Sequence, residues 1–588
     1  MHGSASGNSP RARPCTADCE GRSHAFPSWE VVQKELTAAR MRLLNWALHS
    51  DTIPHPPMQK SLVMLAVLAA LAPLPPALHA ATDSPVELDL LLRGGTVYTG
   101  DADTPVVGDV GIVGDRIVFA GKAAPAQFRA RRVIDAKGMI VAPGFIDAHT
   151  HADTDLHSTD AHKRLNIPFL TQGVTTAVIG NDGFGGFDIA SQAQRLRATP
   201  VGTNVAMYVG FGPVRIDQLG EANRAPTPAQ LEAMKQHVSR AMCEGALGLS
   251  TGLFYPPQNF SKTEEVIELA KVAARHGGLY DSHIRDESMY NIGLRGAIDE
   301  VIRIGHEAHL PVHVAHIKAL GVDVQGQSSD IIRRIEKERA AGLDITADHY
   351  PWTASSTRFS AALVPPWAVD GGRAAMLQRF DEAAVQERLR TGMRENLRLR
   401  GGPDTILFSA GSTKYVGKTL ADVAKGANAD PVDAAIAVLR DGDLMIASFN
   451  QSDDDVRAFM KRPWVMTSSD SSQGHPRAYG TFARKYDQYV VKERTISMGQ
   501  FIRSSSSLTA DTLSLQQRGH LRPGYYADVV VFDPARYAAK ATYTQPTLLS
   551  VGVVTVLVNG RLAVDGGKPT GVGAGVPLLR VPKAGSCG

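Results

Sequence analysis

Val141-Ala142-Pro143-Gly144-Phe145-Ile146-Asp147-Ala148-His149-Thr150-His151 is an apolar run that ends in two histidines. Side chains alternate along a strand, so His149 and His151 point the same way from one rigid element and can reach one metal ion. A single His-x-His is a weak signal, better explained by two structural histidines. Three more residues repeat the relation. His283 ends Leu279-Tyr280-Asp281-Ser282, His316 ends Val312-His313-Val314-Ala315, and Asp470 ends Trp464-Val465-Met466-Thr467-Ser468-Ser469. Each stands where a short apolar run stops and loop residues begin. In a (β/α)8 barrel, functional groups sit at the C-terminal ends of the strands.

Counting strands tests the idea. Apolar, β-branched runs of strand length occur at about 141–147, 174–179, 204–209, 246–250, 279–283, 312–316, 343–348 and 464–469. Helical patterns such as Thr263–His276 and Asn291–His309 separate most of them. Strands alternating with helices imply a parallel sheet, and eight of them favour closure into a barrel. The four histidines and Asp470 then fall on strands one, five, six and eight, at one mouth.

The motifs resemble a known family. Pro143-Gly144-Phe145-Ile146-Asp147-Ala148-His149-Thr150-His151 resembles the signature of the amidohydrolase superfamily of metal-dependent hydrolases. Gln172–Thr176, Gly248–Leu253, His283-Ile284-Arg285-Asp286-Glu287, His316-Ile317-Lys318, Asp348–Trp352 and His475–Phe482 narrow the resemblance to the N-acyl-D-amino-acid deacylases, or D-aminoacylases. The motifs keep their order from about residue 86 to about residue 575.

The resemblance implies zinc, as one or two ions. His283 and His316 are expected to hold the tighter ion, and His149 and His151 the weaker. Asp470 is the expected proton acceptor. Lys318, Tyr350, Ser356 and Arg477 are expected to bind the substrate carboxylate, and a guanidinium suits that task because it grips a carboxylate bidentately. After strand two the family carries Gly-Asn-Cys-Gly, whose thiolate bridges both metal positions. This chain reads Gly180-Asn181-Asp182-Gly183. A carboxylate can also bridge zinc, and strand four ends in Ser250-Thr251, with no lysine or glutamate to substitute. Asp182 is therefore the expected ligand. The alternative is that it only caps a turn, as Asp before Gly often does. Phe211 stands where relatives often have histidine. Arg285 and Glu287 could form an ion pair supporting His283. His313, three residues before His316, is expected to face the other side of its strand. With His276, His306, His309 and His349, it is read as structural or solvated.

Composition agrees with an enzyme of this size. A chain of 588 residues exceeds a single barrel of about 250. Its charge of +3 and lack of a basic stripe or phosphate loop exclude an evident nucleic-acid or nucleotide partner. The expected partner is a small molecule, an N-acyl amino acid or a dipeptide.

The first 80 residues read as separate from the fold. Residues 1–57 are polar and without sustained period, and are expected to be a non-native, disordered extension preceding a start at Met58. Met58-Gln59-Lys60, the apolar run Leu62–Ala72 and the alanine-rich end Ala77-Leu78-His79-Ala80-Ala81 describe a secretory signal peptide over 58–80. The run is too short for a membrane span of about 20 residues. The expected compartment is therefore periplasmic or secreted. Removing residues 1–80 removes seven Lys/Arg and five Asp/Glu, leaving a charge of +1. Of the four cysteines, Cys15 and Cys19 precede the fold, Cys243 reads as a core residue and Cys587 as part of a tail, so no disulfide is expected.

Strand patterns flank the barrel, which is expected over 142–518. Residues 81–141 and 519–588 are expected to combine into one small β-sandwich. Residues from about 353 to 412 read as an insertion at the barrel mouth, because the segment after strand seven is too long for a loop. Three functional readings follow: a zinc-dependent deacylase of N-acyl-D-amino acids, a dipeptidase of the same fold accepting a C-terminal D-residue, and a non-catalytic binding protein. The intact set His149, His151, His283, His316 and Asp470 counts against the last.

Overall fold

The computed structural model describes residues 86–122 and 128–587. The expected extension, the signal peptide, Cys15 and Cys19 lie outside these residues.

Eight parallel strands follow the expected order. They are Phe145–Asp147, Val174–Ile179, Asn204–Met207 with its continuation Val209–Gly210, Gly248–Gly252, Leu279–His283, Val312–Val314, Ile345–His349 and Val465–Thr467. Each pairs in parallel with the next, and the third joins both halves: Asn204–Met207 pairs with strand two and Val209–Gly210 with strand four. The eighth meets the first through Asp470 N–H to the His149 carbonyl, 2.9 Å. Ser469 N–H to Asp147 Oδ1, 2.9 Å, and His151 N–H to Ser471 Oγ, 3.1 Å, continue this lacing. These contacts close the ring.

The helices between the strands bury one face each. In Thr263–Arg275 the buried positions Val266, Ile267, Leu269, Ala270, Val272 and Ala273 recur at helical spacing, with Glu264 and Glu265 in the first turn and Arg275 in the last, favourable to the helix dipole. Gly293–Ala308 repeats the buried spacing, with Leu294, Ala297, Ile298, Val301, Ile302 and Ala308 inward, but without the acidic first turn. Among the described residues no helix is long and apolar enough to cross a membrane.

The run expected as barrel strand one divides at Gly144. Ile140–Pro143 pairs antiparallel with Val529–Phe532, and only Phe145–Asp147 enters the barrel. A side chain at Gly144 would lie 2.3 Å from Thr175 Oγ1, so the crossing backbone needs glycine. Phe145 joins the layers, stacking on Phe482 at 5.6 Å and meeting Phe501 edge-on at 5.4 Å. Burying such a ring contributes about 1.5–3 kcal/mol.

Both chain ends share one nine-stranded sheet. Val86–Val97 is its hub, pairing with Val106–Val113, Phe128–Asp135 and Ile140–Pro143, and Val529–Phe532 carries the C-terminal strands. Leu90, Leu92, Val110, Ile112, Val529, Val531 and Leu557 form its core.

The insertion extends beyond residue 412. Ala354–Arg358, Met445–Phe449 and Ile406–Ala410 form a three-stranded antiparallel sheet with Met445–Phe449 in the middle. This sheet and its helices enclose a core of their own, including Phe359, Leu389, Met393, Phe408, Val438 and Ile446. Helices Leu420–Ala427 and Pro431–Asp441 belong to this unit. Their amphipathic patterns match those of barrel helices, which is why sequence alone ended the insertion too early.

Cys243 and Cys587 form a disulfide, correcting the expectation that they stay unpaired. The tail brings them together. Pro577–Leu578 adds beside Asn204–Met207, Arg580 N–H donates to the Gly245 carbonyl, and Lys583 N–H to the His276 carbonyl. These partners all lie at the N-terminal ends of strands three, four and five.

Candidate metal centre and substrate cavity

The strand ends bring six side chains to one point. Asp182 Oδ1 lies 3.4 Å from His149 Nε2 and 3.3 Å from His316 Nε2. Its Oδ2 lies 3.4 Å from His151 Nε2 and 3.6 Å from His283 Nδ1. Asp470 Oδ1 stands 3.3 Å from His151 Nε2. Two groups of donor atoms result: His149, His151, Asp182 and Asp470, and Asp182, His283 and His316. Asp182 belongs to both.

Backbone conformation aims these groups. Asp182 (φ 56°), His316 (φ 34°) and Asp470 (φ 45°) all adopt the left-handed region. Each costs roughly 1–3 kcal/mol and is held by its surroundings, a pattern that gathers at functional sites. At Asp182 the clamp is visible. Gln258 Nε2 donates to the Asp182 carbonyl at 3.0 Å, Gln258 Oε1 accepts from Gly252 N–H at 2.7 Å, and Gly183 N–H donates to Ser250 Oγ at 3.0 Å. Gly183 has φ 69°, and a side chain there would lie 2.1 Å from Gln258 Oε1.

A second layer holds the imidazoles. Glu287 Oε1 lies 3.1 Å from His316 Nδ1 and Oε2 lies 3.9 Å from His283 Nε2. Asp348 Oδ2 is 3.8 Å from His149 Nδ1 and 2.8 Å from His313 Nε2, while Asp348 Oδ1 accepts from His316 N–H at 3.0 Å. Carboxylates behind histidines fix ring orientation in metal sites. Two expectations change here. His313 faces the same barrel interior, one layer below the cluster. Arg285 pairs with Glu300 at 2.8 Å, and Glu287 pairs with Lys318 instead. A charge on a loop has several partners within reach, and only the fold selects among them.

The electrostatics follow from burial and neighbours. Burial lowers His149 to about 4. Burial also opposes charge on His151, but Asp182 and Asp470 outweigh it and raise it to about 10. At His316 burial and Lys318 oppose the charged form, and Asp182, Asp470 and Glu287 prevail, again to about 10. Burial disfavours the Asp470 carboxylate, but Arg477 and the histidines hold it far below the usual carboxylate range. Asp147, beneath the cluster, is raised by burial to about 7.

The cavity beside the cluster is lined by His283, His316, Lys318, Tyr350, Ser356 and Asp470, among others. Three of the four expected carboxylate binders, Lys318, Tyr350 and Ser356, are on its wall. Arg477 stands behind it, with NH1 2.9 Å from Asp470 Oδ2 and its guanidinium 4.8 Å from the Tyr350 ring centre. Tyr255, whose ring centre is 4.6 Å from that of His283, lines the cavity too. Phe211 is fully buried at the start of helix Phe211–Leu219. His276 bonds Ser239 Oγ at 2.9 Å, His306 pairs with Glu338, His309 ends a helix in the left-handed region, and His349 stacks on Tyr350. Glu287, Asp348 and Arg400 join the site without having been singled out for these places. Of these, Glu287, four residues after a candidate ligand, and Asp348, at the end of the expected seventh strand, carried a local signal, and Arg400 carried none.

Comparison with known proteins identifies the family of the chain. Residues 132–564 match the model of the amidohydrolase family. The chain is 33% identical over 519 residues to the D-aminoacylase of Alcaligenes xylosoxydans xylosoxydans, covering 84% of this chain and 98% of that protein. It is 31% identical to the N-acyl-D-aspartate deacylase of the same organism, covering 82% and 93%. The crystal structure of N-acyl-D-glutamate deacylase from Bordetella bronchiseptica, complexed with zinc and a phosphonate mimic of the tetrahedral intermediate, superposes with a TM-score of 0.72 at 30% identity. That match covers 84% of this chain and all of the other. The chain belongs to the amidohydrolase family and, within it, to the D-aminoacylases.

Proposed function

We propose that the protein is a zinc-dependent amidase that hydrolyses the N-acyl bond of N-acyl-D-amino acids, releasing a carboxylic acid and a free D-amino acid. The observation that carries this reading is Asp182, whose two carboxylate oxygens each face two histidines while Asp470 stands alongside.

The donor set suits zinc. Imidazole and carboxylate are its ordinary ligands. Both ring nitrogens of His149 and of His283, and Asp182 Oδ1, are buried without a hydrogen-bond partner, a costly state that a cation relieves. His149, His151, Asp182, His283 and His316 would hold the metal. Bound zinc lowers the pKa of water to about 7 and polarises the carbonyl under attack.

The remaining chemistry belongs to the chain. Asp470, kept ionised by Arg477, accepts the proton of the attacking water and returns it to the leaving nitrogen. Lys318, Tyr350 and Ser356 on the cavity wall receive the α-carboxylate, and Ser356 Oγ is buried there without a partner. Arg477 acts from behind, orienting Asp470 and Tyr350. Carboxylate, acyl carbonyl and side chain each meet a fixed partner, so inverting the α-carbon misplaces one of them. Such misplacement costs on the order of a hundredfold in rate.

The enzyme works outside the cytoplasm in this reading. The leader-like segment 58–80 supports it, as does the Cys243–Cys587 disulfide, a bond that persists in oxidising compartments.

A hydrolysis screen tests the function. N-acetyl-D- and N-acetyl-L-amino acids are compared with L,D-dipeptides. Preferential cleavage of the N-acetyl-D series is expected. Equal kcat/KM for both enantiomers, or cleavage of dipeptides alone, contradicts it.

A further inference from the structure

The cavity wall carries a cation that the catalytic scheme leaves unused. Arg400 follows helix Gln386–Leu399 of the insertion and is 2% exposed. The backbone pins it in place: Val322 N–H donates to the Leu399 carbonyl at 3.0 Å, and Gly321 N–H to the Asn450 carbonyl at 2.7 Å. The insertion is thus fastened to the loop after strand six, and Arg400 faces the cavity.

Its protein partners are neutral. Nε donates to the Ala362 carbonyl at 3.1 Å, and NH1 lies 3.3 Å from the Asn450 side-chain oxygen once that amide is oriented to satisfy its neighbours. Among the described residues no carboxylate forms an ion pair with it. Lys318 and Arg477 differ, since Glu287 and Asp470 neutralise them. A buried guanidinium without a counter-charge is costly, and an anion entering the cavity removes that cost.

Position separates Arg400 from the α-carboxylate group. Lys318 and Arg477 both lie over the Tyr350 ring, at 5.6 and 4.8 Å. Arg400 lies over Tyr290, at 5.7 Å, on the loop after strand five. The Tyr290 hydroxyl is buried without a partner and Tyr290 lines the same cavity. The cavity therefore has two cation–aromatic stations on different strand-end loops. A substrate with one carboxylate uses only one of them, whereas a dicarboxylate uses both.

We propose that Arg400, with the Tyr290 hydroxyl, binds the side-chain carboxylate of the substrate, which makes the enzyme a deacylase of N-acyl-D-amino acids with acidic side chains. This rests on the function proposed above and names its substrate class.

The test measures kcat/KM of the zinc-loaded enzyme on N-acetyl-D-glutamate, N-acetyl-D-aspartate and N-acetyl-D-methionine. The wild type is expected to favour an acidic substrate. Arg400→Met should lower kcat/KM on the acidic substrates by about ten- to a hundredfold, the range of one charged hydrogen-bonding group, and leave the methionine derivative nearly unchanged. Tyr290→Phe, which disturbs no protein hydrogen bond, should shift the same ratio in the same direction through KM, and it decides the matter if Arg400→Met fails to fold. Equal losses on all three substrates would place Arg400 at the α-carboxylate and overturn the proposal, as would a wild type that favours the methionine derivative. A wild type inactive on every N-acetyl-D-amino acid defeats the function itself, a result distinct from either.

Discussion

Asp470 donates its backbone N–H to the carbonyl of His149 at 2.9 Å, so the last barrel strand meets the first at the residues that carry the chemistry. The same contact closes the barrel and sets the carboxylate of Asp470 beside the imidazole of His151, 3.3 Å away. Closure of the fold and assembly of the site are one event.

Metal binding should release protons. Asp182 and Asp470 outweigh burial at His151 and raise it to about 10, so without metal it is protonated near neutrality, and a ligating imidazole must be neutral. Zinc affinity should rise with pH up to about 10, with about one proton released per binding event near pH 7. In the metal-free protein these pairs also stabilise the fold fully below the unfolded value of about 6.5, and this contribution is lost as pH rises through about 10. Calorimetry in buffers of different ionisation enthalpy measures the release. Binding without proton exchange contradicts the assignment.

Glu287 should act through His316. Glu287→Gln removes the charge that faces His316 Nδ1 and Lys318, and should weaken zinc binding or activity about 10- to 100-fold. Chelator competition reads the affinity. A purely structural Glu287 would lower the melting temperature and leave zinc affinity intact.

Lys485 should make stability depend on pH. It is buried between Thr467 and Ser504 hydroxyls, and burial lowers its amine to about 7. An unfolded lysine titrates near 10.4, so between about 7 and about 10 the unfolded chain binds one more proton and stability rises with pH. Below that window the cost of the buried ammonium is present in full. Lys485→Met should therefore gain most over wild type at about pH 6, by a few kcal/mol, and the gain should shrink towards pH 10. A difference constant with pH rules this out.

The Cys243–Cys587 bond should affect stability without affecting catalysis. It ties the tail to residues at the N-terminal ends of strands three to five, while the histidines stand at the opposite ends. Cys587→Ser should cost about 2–5 kcal/mol or release the tail locally, lowering the melting temperature. Activity at 25 °C should stay at the wild-type level. An unchanged melting temperature with lost activity would contradict this.

What could be read from the chain alone was whatever a short stretch reports. His149, His151, His283, His316 and Asp470 each end an apolar run, and the barrel order follows from those runs and the helices between them. Features set by distant residues were not legible. Cys243 and Cys587 are 344 residues apart and meet only because the tail crosses beneath the barrel. His313 looked outward by strand counting, but strand six ends at Val314 and the chain then turns at His316, so both rings face inward. Arg400 belongs to an insertion whose docking depends on the backbone bonds of Leu399 and Asn450. No local pattern marks that.

Asp182 carries the central claim, that a carboxylate stands in for a thiolate at the centre of the metal site. Zinc content by elemental analysis, with kcat/KM on an N-acetyl-D-amino acid, on Asp182→Ala, Asp182→Cys and Asp182→Asn tests it most directly. Asn tolerates the left-handed backbone and caps a turn about as well as Asp, but lacks the charge. The account predicts that Asp182→Ala and Asp182→Asn both lose zinc and activity, and that Asp182→Cys recovers part of each because thiolate binds zinc well. An Asp182→Asn variant with wild-type zinc and wild-type rate would show that Asp182 only shapes its turn, and would contradict the account.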